Sequence, residues 1–284
     1  MSSAPLIDIQ QISYSYPAQQ EGRDKTEAAP VLHEVSLQVE QGEYVVVLGH
    51  NGSGKSTLAR HCNALLLPDR GRVLVAGMDT RDTTQTRAIR ERVGMIFQHP
   101  DNQLIATVVE DDVAWSLTVQ GLPRALIRER VEEAMAAVAI TPLRGLPPHK
   151  LSGGQRQRLA IAGVLALRPD CIIADEMTAM LDPFTRQEMV RLLSTLNQEQ
   201  GLTILHVTHL LDEATQAGRI VVMEQGRIIM DGKPAAVLSD VRRLRALKLA
   251  IPDPMALAAR LREAGLPLAD DALTNEALAR ELAP

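Results

Sequence analysis

The chain has 284 residues, 45% hydrophobic and 23% charged, enough for one large α/β domain with appendages around a sizeable core. A net charge of -5 and 2% aromatics argue against general attraction to nucleic acid or acidic membrane, and against a platform on which bases stack. Two cysteines without metal-ligand spacing read as buried free thiols, and neither a membrane-spanning run nor a signal peptide is expected.

In chain order, residues 6–16 partly alternate and predict a strand, with Tyr16 at its far end. Residues 17–30 are polar, with Gly and Pro, and predict a surface loop. Val31 to Val39 alternates again and Gln41-Gly42 turns the chain, so a small antiparallel sheet is expected beside the next segment. Tyr44 to Leu48 is a short apolar run that predicts a buried parallel strand. It leads into Gly49-His50-Asn51-Gly52-Ser53-Gly54-Lys55-Ser56-Thr57, which fills the phosphate-binding pattern G-x-x-x-x-G-K-[ST]. The glycines free the backbone to aim successive N–H groups at an anion. Lys55 brings a point charge to the β- and γ-phosphates, and Ser56 brings a hydroxyl to Mg²⁺. Leu58, Ala59, Cys62, Leu65 and Leu66 recur at helical spacing, so a helix N-terminus adds its partial charge. The bland alternative is a glycine-rich turn that binds nothing; the strand before and the helix after favour the phosphate site.

Val73 to Gly77 predicts a strand with a glycine turn, Ala88 to Arg92 a short helix, and Val93 to Phe97 a strand that ends at Gln98. Residues 98–167 hold several helices. Pro123 suits a helix start, and Ile127, Val131, Met135 and Val138 share one core-facing side. Leu151-Ser152-Gly153-Gly154-Gln155 precedes a helix expected over Arg156 to Leu167, so amides and a hydroxyl converge on a second anion site. Alone it would read as a turn and cap; the phosphate loop in the same chain gives it weight. Cys171 to Glu176 predicts a buried strand ending in two acids, which are costly unless they hold a cation or do chemistry. Asp175 suits Mg²⁺ and Glu176 suits an attacking water. Thr203 to Thr208 predicts the next strand. His206 within it reads as structural, and His209 at its end reads as the histidine beside γ-phosphate chemistry. Residues 220–223 and 227–230 form a hairpin, and Arg242, Arg243, Arg245 and Lys248 a solvated helix face. Met255 to Ala264 and Asn275 to Leu282 read as short helices of an appended domain or dimer arm.

Phosphate loop, Leu-Ser-Gly-Gly-Gln, Asp-Glu and His in this order resemble the ABC-type ATPases over about residues 6–238. The resemblance implies an α/β fold: a P-loop NTPase ABC nucleotide-binding domain with an antiparallel β subdomain, a helical subdomain at about 98–167 and a small C-terminal appendage. ATP and Mg²⁺ are the implied ligands. Tyr16 would stack on adenine, residues Gly49 through Thr57 would surround the phosphates, and Ser56, Gln98 and Asp175 would meet the metal. Ser152, Gly153, Gly154 and Gln155 would close over ATP held by a partner subunit, and Asp182 would speak across the dimer. Lys55, Glu176 and His209 would be catalytic.

His50, the run His99-Pro100-Asp101-Asn102-Gln103 and the run Val109-Glu110-Asp111-Asp112-Val113-Ala114 are similar to the energy-coupling factor (ECF) transporter ATPases, which include cobalt, nickel and vitamin importers. Asp175 to Pro183 resembles the first of the two A-type subunits in the shared-energiser group. Met177 stands where many ABC ATPases carry proline, so a changed turn is expected with no lost chemistry. This resemblance implies a peripheral ATPase on the cytoplasmic face of the cell membrane, paired with an identical or related A-type subunit. A transmembrane T-component would dock near residues 98–118, an S-component would select a vitamin or transition-metal ion, and residues 239–284 would aid dimerisation. No nucleic-acid partner is expected. Alternatives are the ATPase of another ABC importer, a DNA-repair or chromosome-structure ATPase, and a non-enzymatic nucleotide scaffold. The roughly 120 residues between Lys55 and Asp175 carry no sustained heptads, which opposes the DNA-repair alternative.

Overall fold

A computed structural model describes residues 4–17, 30–269 and 273–283; most of the loop expected over 17–30 lies outside them. The chain runs through Ile7–Tyr14 (β1), Leu32–Val39 (β2), Tyr44–Leu48 (β3), Lys55–His61 (α1), Arg70–Val75 (β4), Met78–Asp79 (β5), Thr86–Arg92 (α2) and Val93–Ile96 (β6). Val109–Val119 (α3), Arg124–Ala137 (α4) and Gly153–Leu165 (α5) follow, then Cys171–Asp175 (β7), Pro183–Gln200 (α6) and Thr203–Thr208 (β8). The last elements are Arg219–Glu224 (β9), Arg227–Gly232 (β10), Pro234–Leu238 (α7), Val241–Ala246 (α8), Asp253–Glu263 (α9) and Asn275–Leu282 (α10).

Two sheets form. The smaller has order β2-β1-β4-β5 and is antiparallel. The larger has order β10-β9-β3-β8-β7-β6; its strands pair in parallel except at the β10 edge. Register places Leu48 opposite Thr208, Asp175 opposite Val207 and Ile96 opposite Ala174. The residues that leave β3, β8, β7 and β6 therefore emerge side by side along one edge, where ligands of open α/β sheets bind.

Strand alternation divides the core. Val45, Val47, Cys171, Ile173, Leu205 and Val207 face α1 and the small sheet. Val46, Leu48, Ile172, Ala174 and Ile204 face the helical side. The near-continuous apolar strands are the expected signature of a sheet covered on both faces. Burial leaves both thiols unreactive: it raises the Cys171 thiol well above its ordinary range and pushes that of Cys62 up to about 12.

Several boundaries differ from expectation. The helix after the phosphate loop ends at His61 instead of continuing through Leu66. Ala64 turns to φ 56°, and the N–H groups of Leu65 and Leu66 both close on the Arg60 carbonyl. Pro123 is the N-cap of α4, one residue before the helix. The helix expected from Arg156 starts at Gly153, because Ser152 and Gln155 cap it reciprocally. Glu176 lies just beyond β7. The C-terminal segment shares the main core: Val241, Leu244, Leu247, Leu249, Met255 and Leu273 join the cluster of α5 and α6. Ala258 and Leu278, with Leu268, form a small separate core.

Candidate functional site

The phosphate loop follows β3 and enters α1. Gly52 and Gly54 adopt φ 83° and 99°, where L side chains are strained. Gly49 is needed for a different reason than backbone angle: a Cβ there would stand 2.5 Å from the Met223 carbonyl oxygen. Lys55 is buried and donates to the carbonyls of Gly49 (2.9 Å) and His50 (3.1 Å). Its Nζ lies 3.6 Å from Glu176 Oε1. Burial lowers the lysine pKa, and the nearby Glu176 and Asp175 carboxylates oppose that shift. Ser53 is buried and its Oγ has no hydrogen-bond partner among the described residues. The ring of His50 contacts the Asn51 carbonyl at 2.7 Å, and Asn51 is exposed.

Ser56 Oγ donates to Asp175 Oδ1 at 2.6 Å across 119 residues of sequence. Burial pushes the Asp175 carboxyl up, against the Ser56 hydrogen bond that favours its charge. A buried carboxylate beside a hydroxyl is an oxygen pair that suits a hard ion taking its other ligands from phosphates and water. No group of three or more His, Cys, Asp or Glu side chains that could hold a metal occurs among the described residues. A resident all-protein cage is thus not the arrangement seen; a half-shell that fits Mg²⁺ is.

Glu176 takes φ 48°, uncommon for a residue with a side chain, and its N–H donates to the Val207 carbonyl at 2.9 Å. His209 Nδ1 stands 3.7 Å from Glu176 Oε1. The side chain of Met177 enters the core, while the turn still closes from Ala179 N–H to the Glu176 carbonyl at 3.1 Å. Both acids keep their places. Tyr16 is 39% exposed, packs edge-on against Tyr14 and meets Thr57 Oγ1 through its hydroxyl at 3.1 Å. Gln98 follows β6 and makes no side-chain hydrogen bond among the described residues, and its segment is clamped by Gln103, which accepts from Phe97 N–H and donates to the Met95 carbonyl.

Ser152, Gly153, Gly154 and Gln155 form a second cluster. Ser152 N–H donates to Gln155 Oε1 at 2.9 Å, and Ser152 Oγ accepts from Gln155 N–H at 3.3 Å. Gln155 thus has a local capping task. A Cβ on Gly154 would meet Thr185 Cγ2 at 2.5 Å, so this cluster abuts the start of α6. There Asp182 caps the helix, accepting from Phe184 N–H, Thr185 N–H and Thr185 Oγ1. Among the described residues no hydrogen bond or ion pair joins this cluster to the phosphate loop. Lys55, Ser56, Asp175, Glu176 and His209 come together; the signature and Asp182 stand apart from them. Gln103, Thr178 and Glu213 were not singled out individually by sequence reasoning. Glu213 sits four residues past His209 in a polar turn, a weak signal that only burial makes meaningful.

Fold and site together define an ATPase of the ABC type. The family described as ABC transporter matches residues 32–179. An energy-coupling factor transporter ATP-binding protein EcfA1 of Symbiobacterium thermophilum is 51% identical over 98% of this chain and 96% of its own length. The EcfA1 of Clostridium novyi is 46% identical over 98% and 97%. The solved structure of cbiO1 from Clostridium perfringens, described as part of the ABC transporter complex cbiONQ, covers 90% of this chain and 99% of its own with 33% identity and a TM-score of 0.77. A dimeric MJ0796 cassette in a post-hydrolysis state with ADP and Pi covers 80% and 98% with 29% identity and a TM-score of 0.71. The chain belongs to the ABC transporter family, among its energy-coupling factor ATP-binding proteins.

Proposed function

We propose that this chain is the ATP-hydrolysing subunit of an ECF-type importer. The observation that carries the reading is the convergence of Lys55, Asp175, Glu176 and His209 at adjacent strand ends. Amides of residues 49–57 cradle the phosphates, Lys55 places charge on them, and Tyr16 offers its ring to adenine. Glu176 orients or deprotonates the attacking water, and His209 holds the γ-phosphate in place. Ser56, Gln98 and Asp175 would hold Mg²⁺, which when bound neutralises charge on the phosphates. The Ser53 hydroxyl, without a partner among the described residues, and the buried Asp175 beside the Ser56 hydroxyl support a polyanion and a cation at this spot.

Ser152, Gly153, Gly154 and Gln155, with Asp182 beside them, face the nucleotide of a second A-type subunit, identical or related. Their separation from the phosphate loop within one chain supports a site that two subunits complete. The reading keeps 6–238 as the ATPase, with a helical part near 98–167, and 239–284 as a pairing segment, of which Val241, Leu244, Leu247, Leu249 and Met255 also pack into the ATPase's own core. Leu257, Leu266 and Leu282 of that last segment are exposed. No helix among the described residues is long and apolar enough to cross a membrane. The reading places the chain peripherally, on the cytoplasmic face, beneath a T-component. Docking near residues 98–118 is supported by Ile105 and Trp115, 62% and 46% exposed. An S-component would choose the vitamin or transition-metal ion. The relatives named as energy-coupling factor subunits favour this over another ABC importer.

Purified from membranes with its partners and given Mg²⁺ and ATP, the wild type is expected to cleave ATP. Glu176→Gln is expected to bind ATP yet lose turnover by about 10²-fold or more. Unchanged hydrolysis in that variant removes Glu176 from the chemistry; recovery of no integral membrane protein removes the transporter assignment.

A further inference from the structure

We propose that Glu213 is a positioning residue whose buried carboxylate ties the loop bearing Glu176 to the strand that delivers His209. The inference rests on the roles given above to those two residues. Glu213 lies in the short turn Leu211–Gln216 after β8 and is 2% exposed. Its Oε1 accepts from Thr178 Oγ1 at 2.6 Å, two positions beyond Glu176. The same oxygen is 3.7 Å from Arg186 Nε on α6, just past Asp182. Oε2 faces His206 Nε2 at 3.3 Å, without the alignment of a hydrogen bond. The other ring nitrogen of His206 meets Tyr44 Oη at 3.3 Å.

A carboxylate so buried is expensive unless several partners compensate it. Here the partners come from the Glu176 turn, from α6 and from β8, and a second contact reaches β3. Burial pushes the Glu213 carboxyl up, yet His206, Thr178 and Thr208 hold it below the ordinary glutamate value. The ionised form is therefore what the fold is built around. No hydrogen bond or ion pair links Thr178 or Glu213 to the phosphate loop among the described residues.

The need for an anchor is local. Glu176 sits at φ 48°, a backbone state that persists only where its surroundings over-determine it. After it, Met177, Ala179, Met180 and Leu181 have no side-chain donor or acceptor strong enough to fix the turn. Thr178 has one, and it spends it on Glu213. Displacing a reacting group by about 1 Å costs about 100-fold in rate.

The test is steady-state ATP hydrolysis by the full-length chain assembled with its partners, with T178V, T178S, E213L and T178V/E213L measured beside E176Q. Leucine at 213 keeps bulk and removes the acceptor. T178V and E213L are expected to lower kcat by about 10- to 100-fold with KM for ATP unchanged. T178S, which keeps the hydroxyl, is expected to retain most of kcat. The double variant is expected to be no slower than the slower single one, because both break one link. Wild-type kcat in folded T178V, a loss carried by KM, or multiplicative losses in the double variant each overturn the proposal. If T178V does not fold, the kcat and KM of E213L decide the matter. Wild-type hydrolysis by E176Q would instead sink the reading of the site itself, while an inactive E176Q beside a fully active T178V sinks only the role of Glu213.

Discussion

Asp175 shows how a single residue carries a conflict between fold and chemistry. Burial raises its pKa, so the folded chain binds this proton more tightly than the unfolded chain does. The stability it contributes is complete below the usual carboxylate range, and it is lost as pH rises through the raised native value. Near neutral pH the charge is then a cost in the absence of nucleotide and metal. Asp175→Asn keeps an acceptor for Ser56 and is expected to raise the melting temperature of the nucleotide-free protein at pH 7. The scale is about 2–4 °C per kcal/mol for a chain of this size. The gain should shrink toward pH 4, and a calorimetric pH series checks it; a loss, or a gain independent of pH, contradicts it. Residues of this kind were legible in the sequence because two adjacent acids at a strand end have few bland explanations. Glu213 was not, since its partner Thr178 lies 35 positions away and only tertiary burial distinguishes it from a surface glutamate.

Among elements, the helix termini carry the site. Asp182 holds the start of α6 through two backbone N–H groups and a threonine hydroxyl. Asp182→Ala is expected to lower the denaturant midpoint of unfolding, and Asp182→Asn to recover most of the loss. If the two variants unfold alike, the side chain does not cap. The strands were readable from their apolar runs, and their order along the sheet was not, because pairing is set by crossovers that leave no local pattern. Helix ends were read less well. The glycines of Gly153-Gly154 suggested a turn, whereas a serine–glutamine cap makes them the first helical residues. Leu65 and Leu66 kept helical spacing after the backbone had left the helix, since periodicity cannot register the positive φ of Ala64.

For the molecule as a whole, the last 46 residues looked like an attachment, and packing gives them a second task. Val241, Leu244, Leu247, Leu249 and Met255 are buried in the same core as α5 and α6. Fully burying each such side chain is worth about 1.5–3 kcal/mol, and a typical domain is stable by only about 5–15 kcal/mol in total. Truncation after Leu238 is therefore expected to leave an aggregating chain, whereas truncation after Gly265 should leave a folded one of lower melting temperature. Soluble, cooperative unfolding of the shorter product would show that the ATPase core closes without its C-terminal segment.

The close seat of Gly154 against Thr185 has a further consequence for a pair of such subunits. Ser152 to Gln155 and the start of α6 are wedged together with no room for a methyl group, so one cannot slide without dragging the other. Movement of α6 would pull on the same short stretch of backbone that carries Glu176. Under the pairing proposed above, occupancy on one side would be felt mechanically at the other, and the two engines would fire in a linked rhythm.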